Sequence, residues 1–126
     1  MDWKDLKTRR VDDKELVIAL AQDDENLKVL MVAFQDDEAF KKTKETGELW
    51  FYSTSKKKLW KKGEKSGNVM LVQDTRVDCD GDALLYLVEP TGGACHEGYD
   101  TCFYRDIKGK VVGEKLFDPD KVYGVF

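Results

Sequence analysis

Two apolar runs near the start commit this chain to a sheet. "ELVIALAQ" begins at Glu15 and "LKVLMVAF" ends at Phe34, with the polar "DDEN" between them. Both runs are rich in valine, isoleucine and leucine, which fit a pleated, half-buried surface. A strand, a turn and a second strand are expected, most simply as a hairpin. The next stretch, "DDEAFKKTKETG", changes character. Asp36 can cap free backbone N–H groups, and Asp37 and Glu38 suit the positive end of a helix dipole. Lys41, Lys42 and Lys44 suit the later turns. Gly47 can adopt the left-handed conformation that ends a helix. A short helix is expected here.

Further on, "ELWFYSTS" is aromatic and strand-like, while "SKKKLWKKG" reads as one or two helical turns opened by Ser55 and closed by Gly63. "NVMLVQDTRVD" and "DALLYLVEP" read as two long strands, "TGGACHEG" as a glycine-rich loop, "YDTCFYRDI" as a further strand and "KGK" as a turn. The tail from Glu114 fits no single element. The expected fold class is α+β, mainly β: one small domain over residues 1–126, of twisted mixed sheets with one or two short helices.

The balance of 21 basic and 25 acidic residues gives a net charge of −4. General nucleic-acid binding, which needs a basic footprint, is therefore not expected. No apolar run approaches the length of a membrane span, and "MDWKDLKTRR" lacks the apolar core of a secretion signal. A cytoplasmic location is expected, without membrane association. Three cysteines in such a chain do not read as a disulfide framework.

All three, Cys79, Cys95 and Cys102, fall in "VDCDGDALLYLVEPTGGACHEGYDTCF", together with the only histidine, His96, and with Asp78, Asp80 and Asp82. In an extended segment the three aspartates share one face. Carboxylates so placed repel unless a cation neutralises them, and hard oxygen donors suit Mg²⁺ or Ca²⁺. A solvated acidic turn is the plainer alternative. An EF-hand loop is rejected, because its sixth place requires glycine and Ala83 stands there. By the same alternation, Cys79 points away from the carboxylates.

Each cysteine alone reads as a small buried hydrophobe. Three of them close to one histidine favour a metal site, and three thiolates leave the fourth position of a tetrahedral zinc open, as in catalytic sites. His96 is then a candidate proton carrier. In the middle of the chain, "KKKLWKKGEK" from Lys56 to Lys65 sets six lysines against one glutamate. Hydroxyls at Ser53, Thr54, Ser55 and Ser66, the Asn68 amide, and backbone N–H groups around Gly63 and Gly67 can hold phosphate. Trp60 can stack on a base. A solvated lysine face with Trp60 in the core is the alternative.

Taken in order, "TGELWFYSTSKKKLWKKGEKSGN", "DCDGDALL" and "GGACHEGYDTCF" resemble the successive motifs of the phosphoribosyl-AMP cyclohydrolases of histidine biosynthesis. "VLMVAF" followed by a short helix resembles the family's start, and the resemblance covers roughly Leu16 to Arg105. It implies an intertwined homodimer with one zinc per subunit at the interface, held by Cys95 and Cys102 of one subunit and Cys79 of the other. It also implies Mg²⁺ on Asp78, Asp80 and Asp82, and phosphoribosyl-AMP as substrate. Ser53, Ser55, Trp60, Lys62, Gly63, Ser66, Gly67 and Asn68 are the expected substrate contacts, and His96 the catalytic residue. The implied reaction is attack of a zinc-bound hydroxide on C6 of the adenine ring, with cleavage of N1–C6. The family often has a glutamine near "SGN", where this chain reads "SGNVML". No fused pyrophosphohydrolase domain is expected.

Two other classes use similar residues. A zinc deaminase needs a glutamate two residues after a metal ligand and then PCxxC; Glu97 follows Cys95 so, but no PCxxC does. A zinc-stapled binding module would instead use four protein ligands, with His96 as the fourth.

Overall fold

The computed structural model describes residues 1–95 and 97–119. Seven strands form one sheet: β1 Arg9–Val11, β2 Lys14–Asp23, β3 Val29–Gln35, β4 Trp50–Ser53, β5 Lys58–Lys61, β6 Met70–Val77 and β7 Ala83–Pro90. A 3₁₀ turn, Trp3–Asp5, precedes them, and one α-helix, α1 Asp37–Thr46, follows β3. The order is β5-β4-β3-β2-β7-β6, with β1 added on β2. Neighbours run antiparallel except β2 and β7, which are parallel from Ile18↔Ala83 to Asp23↔Val88. The sheet is therefore mixed.

The expected hairpin is β2–β3, in register at Ala19↔Ala33 and Leu20↔Val32. The expected helix is also present. Asp36 has extended backbone and its Oδ1 accepts the Ala39 N–H at 2.8 Å. Gly47 closes the helix at φ 74°, its N–H donating to the Thr43 carbonyl. Ala39, Phe40 and Thr43 form the buried face.

Two expectations are corrected. "SKKKLWKKG" contains a strand, not helical turns. β5 pairs with β4 through Phe51↔Trp60 and Tyr52↔Leu59, and Lys57 takes a left-handed φ of 52° in the turn between them. Aromatic cross-strand packing outweighs the helix propensity of the lysines. "YDTCFYRDI" is not a strand. It makes only isolated bridges, Tyr99↔Lys115 and Arg105↔Val111, because its amides have other partners: Cys102 N–H donates to Leu30 O and Asp100 N–H to Glu114 O.

The sheet curls until its far ends approach. Glu48 bridges Leu71, Leu49 N–H donates to Met70 O, and Val72 N–H donates to Gly47 O. The segment leading into β4 thus meets β6, although the two lie at opposite ends of the strand order. Inside the curl lie Val17, Ala19, Ala21, Leu49, Phe51, Met70, Leu84, Tyr86 and Val88, all at most 2% exposed. One consequence matters for the site: the segment after β5 meets the loop after β7, where Lys62 reaches Ala94 O and the Thr91 N–H donates to Val69 O.

Candidate active site

Asp78, Asp80 and Asp82 lie between β6 and β7, where the chain turns instead of running extended. Gly81, at φ 77°, supplies the left-handed step. Asp78 Oδ1 accepts the N–H groups of Asp82 and Ala83 at 3.0 and 3.2 Å. The turn, not strand alternation, brings the three carboxylates together, with ligand oxygens all within 4.8 Å of one another. Arg9 on β1 reaches Asp82 at 3.3 Å, and the Lys7 N–H donates to Gly81 O at 2.8 Å. Crowding shows in Asp80 and Asp82. Hydrogen bonding with Asp82, then partial burial and the charge of Asp78, hold the Asp80 carboxyl above its usual value. Bonds from Asp78, Asp80 and Arg9 hold Asp82 below it. Three hard oxygens at this spacing fit Mg²⁺.

Cys95 is buried in the loop after β7, its N–H bonded to Tyr99 O and its carbonyl to the Gly98 N–H. Cys102 is exposed as a residue, yet its sulfur turns inward, 4.0 Å from Ala94 O. The two thiols interact: burial and then the neighbouring Cys95 push the Cys102 thiol up to about 11. Paired soft sulfurs fit zinc, which draws off the thiol proton on binding. Cys79 sits exposed in the aspartate turn. Among the described residues, the aspartate trio is the group of three or more candidate ligands that converges, and it does not include the three cysteines. His96 lies outside the described residues.

The lysine-rich segment forms one wall of an open cavity of about 360 Å³, lined by Ser53, Lys56, Lys58, Trp60, Lys61, Lys62, Gly63, Glu64, Lys65 and Ser66. Five of the expected contacts, Ser53, Trp60, Lys62, Gly63 and Ser66, line it together. Trp60 leans on Phe51 with ring centroids 5.1 Å apart, so one edge is anchored while the residue stays half-buried. Ser55, Gly67 and Asn68 lie outside that lining. Ser55 Oγ is 3.3 Å from Ser53 Oγ, and the Gly67 N–H closes the turn onto Gly63 O at 2.8 Å. Asn68 packs its side chain onto Gly92, where any Cβ would collide with it. Glycine at 63 is required twice over, by its φ of 85° and by the backbone of Asn68 and Val69 lying where a Cβ would stand.

Lys62 lines the cavity and also reaches behind it. It is only 8% exposed, and its ammonium donates to the Ala94 carbonyl beside Cys95. Burial draws the ammonium below the usual lysine value, against the opposing charges of Cys102 and Cys95. The family resemblance names Lys62 as a substrate contact, but nothing in "KKKLWKKGEK" marks it as the lysine that is buried. Arg9 was missed for a similar reason, since its partner is 73 residues away. No helix among the described residues is long and apolar enough to cross a membrane.

A sequence profile of the phosphoribosyl-AMP cyclohydrolases matches residues 31–104, which include all three cysteines, the aspartate turn and the lysine-lined wall. The chain belongs to the phosphoribosyl-AMP cyclohydrolase family. It is 54% identical to the phosphoribosyl-AMP cyclohydrolase of Haloarcula marismortui over 112 residues, covering 89% of this chain and 93% of that protein. Identity to the Methanosarcina barkeri protein of the same name is 56% over 111 residues, 88% of this chain and 86% of the relative. With the Methanococcoides burtonii protein it is 51% over 119 residues, 94% and 98% of the two chains. The family's matched region thus includes the aspartate turn, Cys95 and Cys102, and the lysine-lined cavity.

Proposed function

We propose that this chain is a phosphoribosyl-AMP cyclohydrolase of histidine biosynthesis, requiring zinc and magnesium and acting as a homodimer. The observation that carries this reading is the contact between its two halves: Lys62 lines the cavity and also bonds the Ala94 carbonyl next to Cys95. A thiol pair and a cationic, Trp-bearing pocket therefore share one wall, as ring-opening of a phosphorylated purine requires. The relatives' names support the substrate.

In the proposed reaction, water adds to C6 of an adenine ring made electron-poor by its N1 substituent. The N1–C6 bond breaks, the water oxygen becomes the carboxamide oxygen, and N1 leaves with a proton as part of the formimino link. Zinc on Cys95, Cys102 and the partner subunit's Cys79 would supply the Lewis acidity that activates water near neutral pH. Cys79 is exposed, and the three thiols of one chain do not form a converging group among the described residues, which suits a ligand shared between subunits. Asp78, Asp80 and Asp82 would hold Mg²⁺ in an otherwise acidic protein. Lys56, Lys58, Lys61 and Lys65, with Ser53 and Ser66, would neutralise and hold phosphate, while Trp60 stacks on a ring. His96 would carry a proton to or from the attacking water or the ring nitrogen.

The test is turnover of phosphoribosyl-AMP with Mg²⁺ by the zinc-loaded protein, followed by the ultraviolet change on ring opening. Activity that a zinc chelator abolishes and zinc restores is expected, and Cys95→Ser should lose zinc and activity together. A fully active, zinc-free Cys95→Ser protein would end the zinc reading.

A further inference from the structure

Lys62 is the one lysine among the described residues that is buried. Lysine ordinarily keeps its ammonium in water while its stem covers apolar surface. Here the ammonium has given up that hydration, which is costly unless charge and hydrogen bonds replace it. The Ala94 carbonyl is one replacement. Cys95 is the next residue, and the Cys102 sulfur lies 4.0 Å from the same carbonyl, so the ammonium is held where the two thiols meet.

The backbone holds Lys62 in this position from both sides. Its own N–H donates to Leu49 O at 3.1 Å, tying it to the segment before β4. Gly63 follows immediately and packs onto the backbone of Asn68 and Val69. On the other side of the bond, the glycine loop is tied at its ends, by the Thr91 N–H to Val69 O and by the Cys95 N–H to Tyr99 O, and Lys62 takes the Ala94 carbonyl between them. Asn68 presses on Gly92, Phe117 on Gly93, and the Lys62 ammonium holds Ala94. The exposed lysines of the same wall already provide cations for phosphate, so that role does not account for a buried one.

Building on the proposed zinc reading, we propose that Lys62 is a positioning residue for the thiol pair: by bonding Ala94 O it fixes the Cys95 loop against the cavity wall and sets a positive charge beside both sulfurs. Groups of this kind that orient and neutralise metal ligands typically change metal affinity by about 10- to 100-fold when removed.

Lys62→Met keeps the stem and removes the charge and donor. Cobalt(II) substituted into the purified protein reports on the thiolates through its sulfur-to-metal absorption band, and chelator competition reads the zinc Kd. The variant should weaken zinc binding by about 10- to 100-fold and shift or diminish the cobalt band. At saturating zinc, its KM for phosphoribosyl-AMP should change far less than kcat. Raised KM with wild-type zinc affinity and an unshifted cobalt band would overturn the proposal and return Lys62 to phosphate binding. A wild-type protein that shows no sulfur-to-cobalt band would instead defeat the zinc reading itself. Should Lys62→Met fail to fold, Lys62→Arg decides. A restored donor and charge should keep zinc affinity within about tenfold of wild type while shifting the cobalt band; an unshifted band with a raised KM overturns the proposal.

Discussion

Replacing Tyr86 by phenylalanine removes one oxygen atom from the centre of the fold. Tyr86 on β7 is 2% exposed, and its hydroxyl donates to Gln35 Oε1 at 2.6 Å. Gln35, at 0% exposure the last residue of β3, passes the connection on: its Nε2 donates to Trp50 O at 2.7 Å and to Thr43 Oγ1 at 3.2 Å. Thr43 Oγ1 in turn donates to Ala39 O and accepts the Trp50 N–H. One buried chain of hydrogen bonds thus joins β7, β3, α1 and β4. Burial holds the Tyr86 phenol far above its usual value, so it remains a donor throughout the physiological range. Tyr86→Phe keeps the ring but leaves a buried amide oxygen without its donor, at a cost of about 1–3 kcal/mol. For a domain of this size, about 4 °C of Tm per kcal/mol gives a fall of about 8 °C for the middle of that range. Urea unfolding at one fixed protein concentration measures the loss without confusion from subunit association. Gln35→Leu should cost more, because it strands both the Tyr86 hydroxyl and Trp50 O. The double variant should lose less than the sum, with a coupling of about 1 kcal/mol or more. A Tyr86→Phe loss below about 0.5 kcal/mol, or strict additivity, would refute the view that this network organises the core.

Two further predictions concern charge. Asp80→Asn relieves the crowded turn and removes one hard oxygen donor. It should weaken the Mg²⁺ dependence of turnover while leaving chelator-measured zinc affinity unchanged, and an unaltered Mg²⁺ titration would remove Asp80 from that site. Asp100 tests pH dependence. Burial alone would raise its carboxyl, but Lys28 and the Glu114 N–H hold it below the usual range. A carboxyl whose value is depressed by folding stabilises the fold above its unfolded value, about 3.9, and loses that contribution as pH falls through the folded value. The Tm gap between wild type and Asp100→Asn should therefore be full at neutral pH and close in acid, and a gap that widens in acid would contradict the assignment.

The first hairpin and the helix were legible because each rests on local chemistry. Alternating branched side chains fit a pleat, Asp36 caps, and Gly47 tolerates φ 74°. The candidate ligand residues stood out in the sequence too, since aspartates, cysteines and a histidine rarely crowd one stretch without a purpose. Their arrangement was less legible. Asp78, Asp80 and Asp82 converge as expected, but through a glycine turn at Gly81 that also leaves Cys79 exposed. β5 was misread because its lysines favour a helix, whereas Trp60 and Leu59 pair with Phe51 and Tyr52. The stretch after Tyr99 was misread because its amides bond to Leu30 and to the later Glu114.

What the sequence alone determined is the list of chemical groups: oxygen donors, sulfur donors, a histidine, lysines and an aromatic, with the family to which their order belongs. Which lysine leaves water, which arginine meets Asp82, and which cysteines lie side by side were decided only by the tertiary structure. Local sequence sets the conformation of a few residues through sterics and hydrogen bonds. Burial and charge pairing instead depend on segments that meet only when the sheet curls, as Lys62 and Ala94 do across 32 residues of chain.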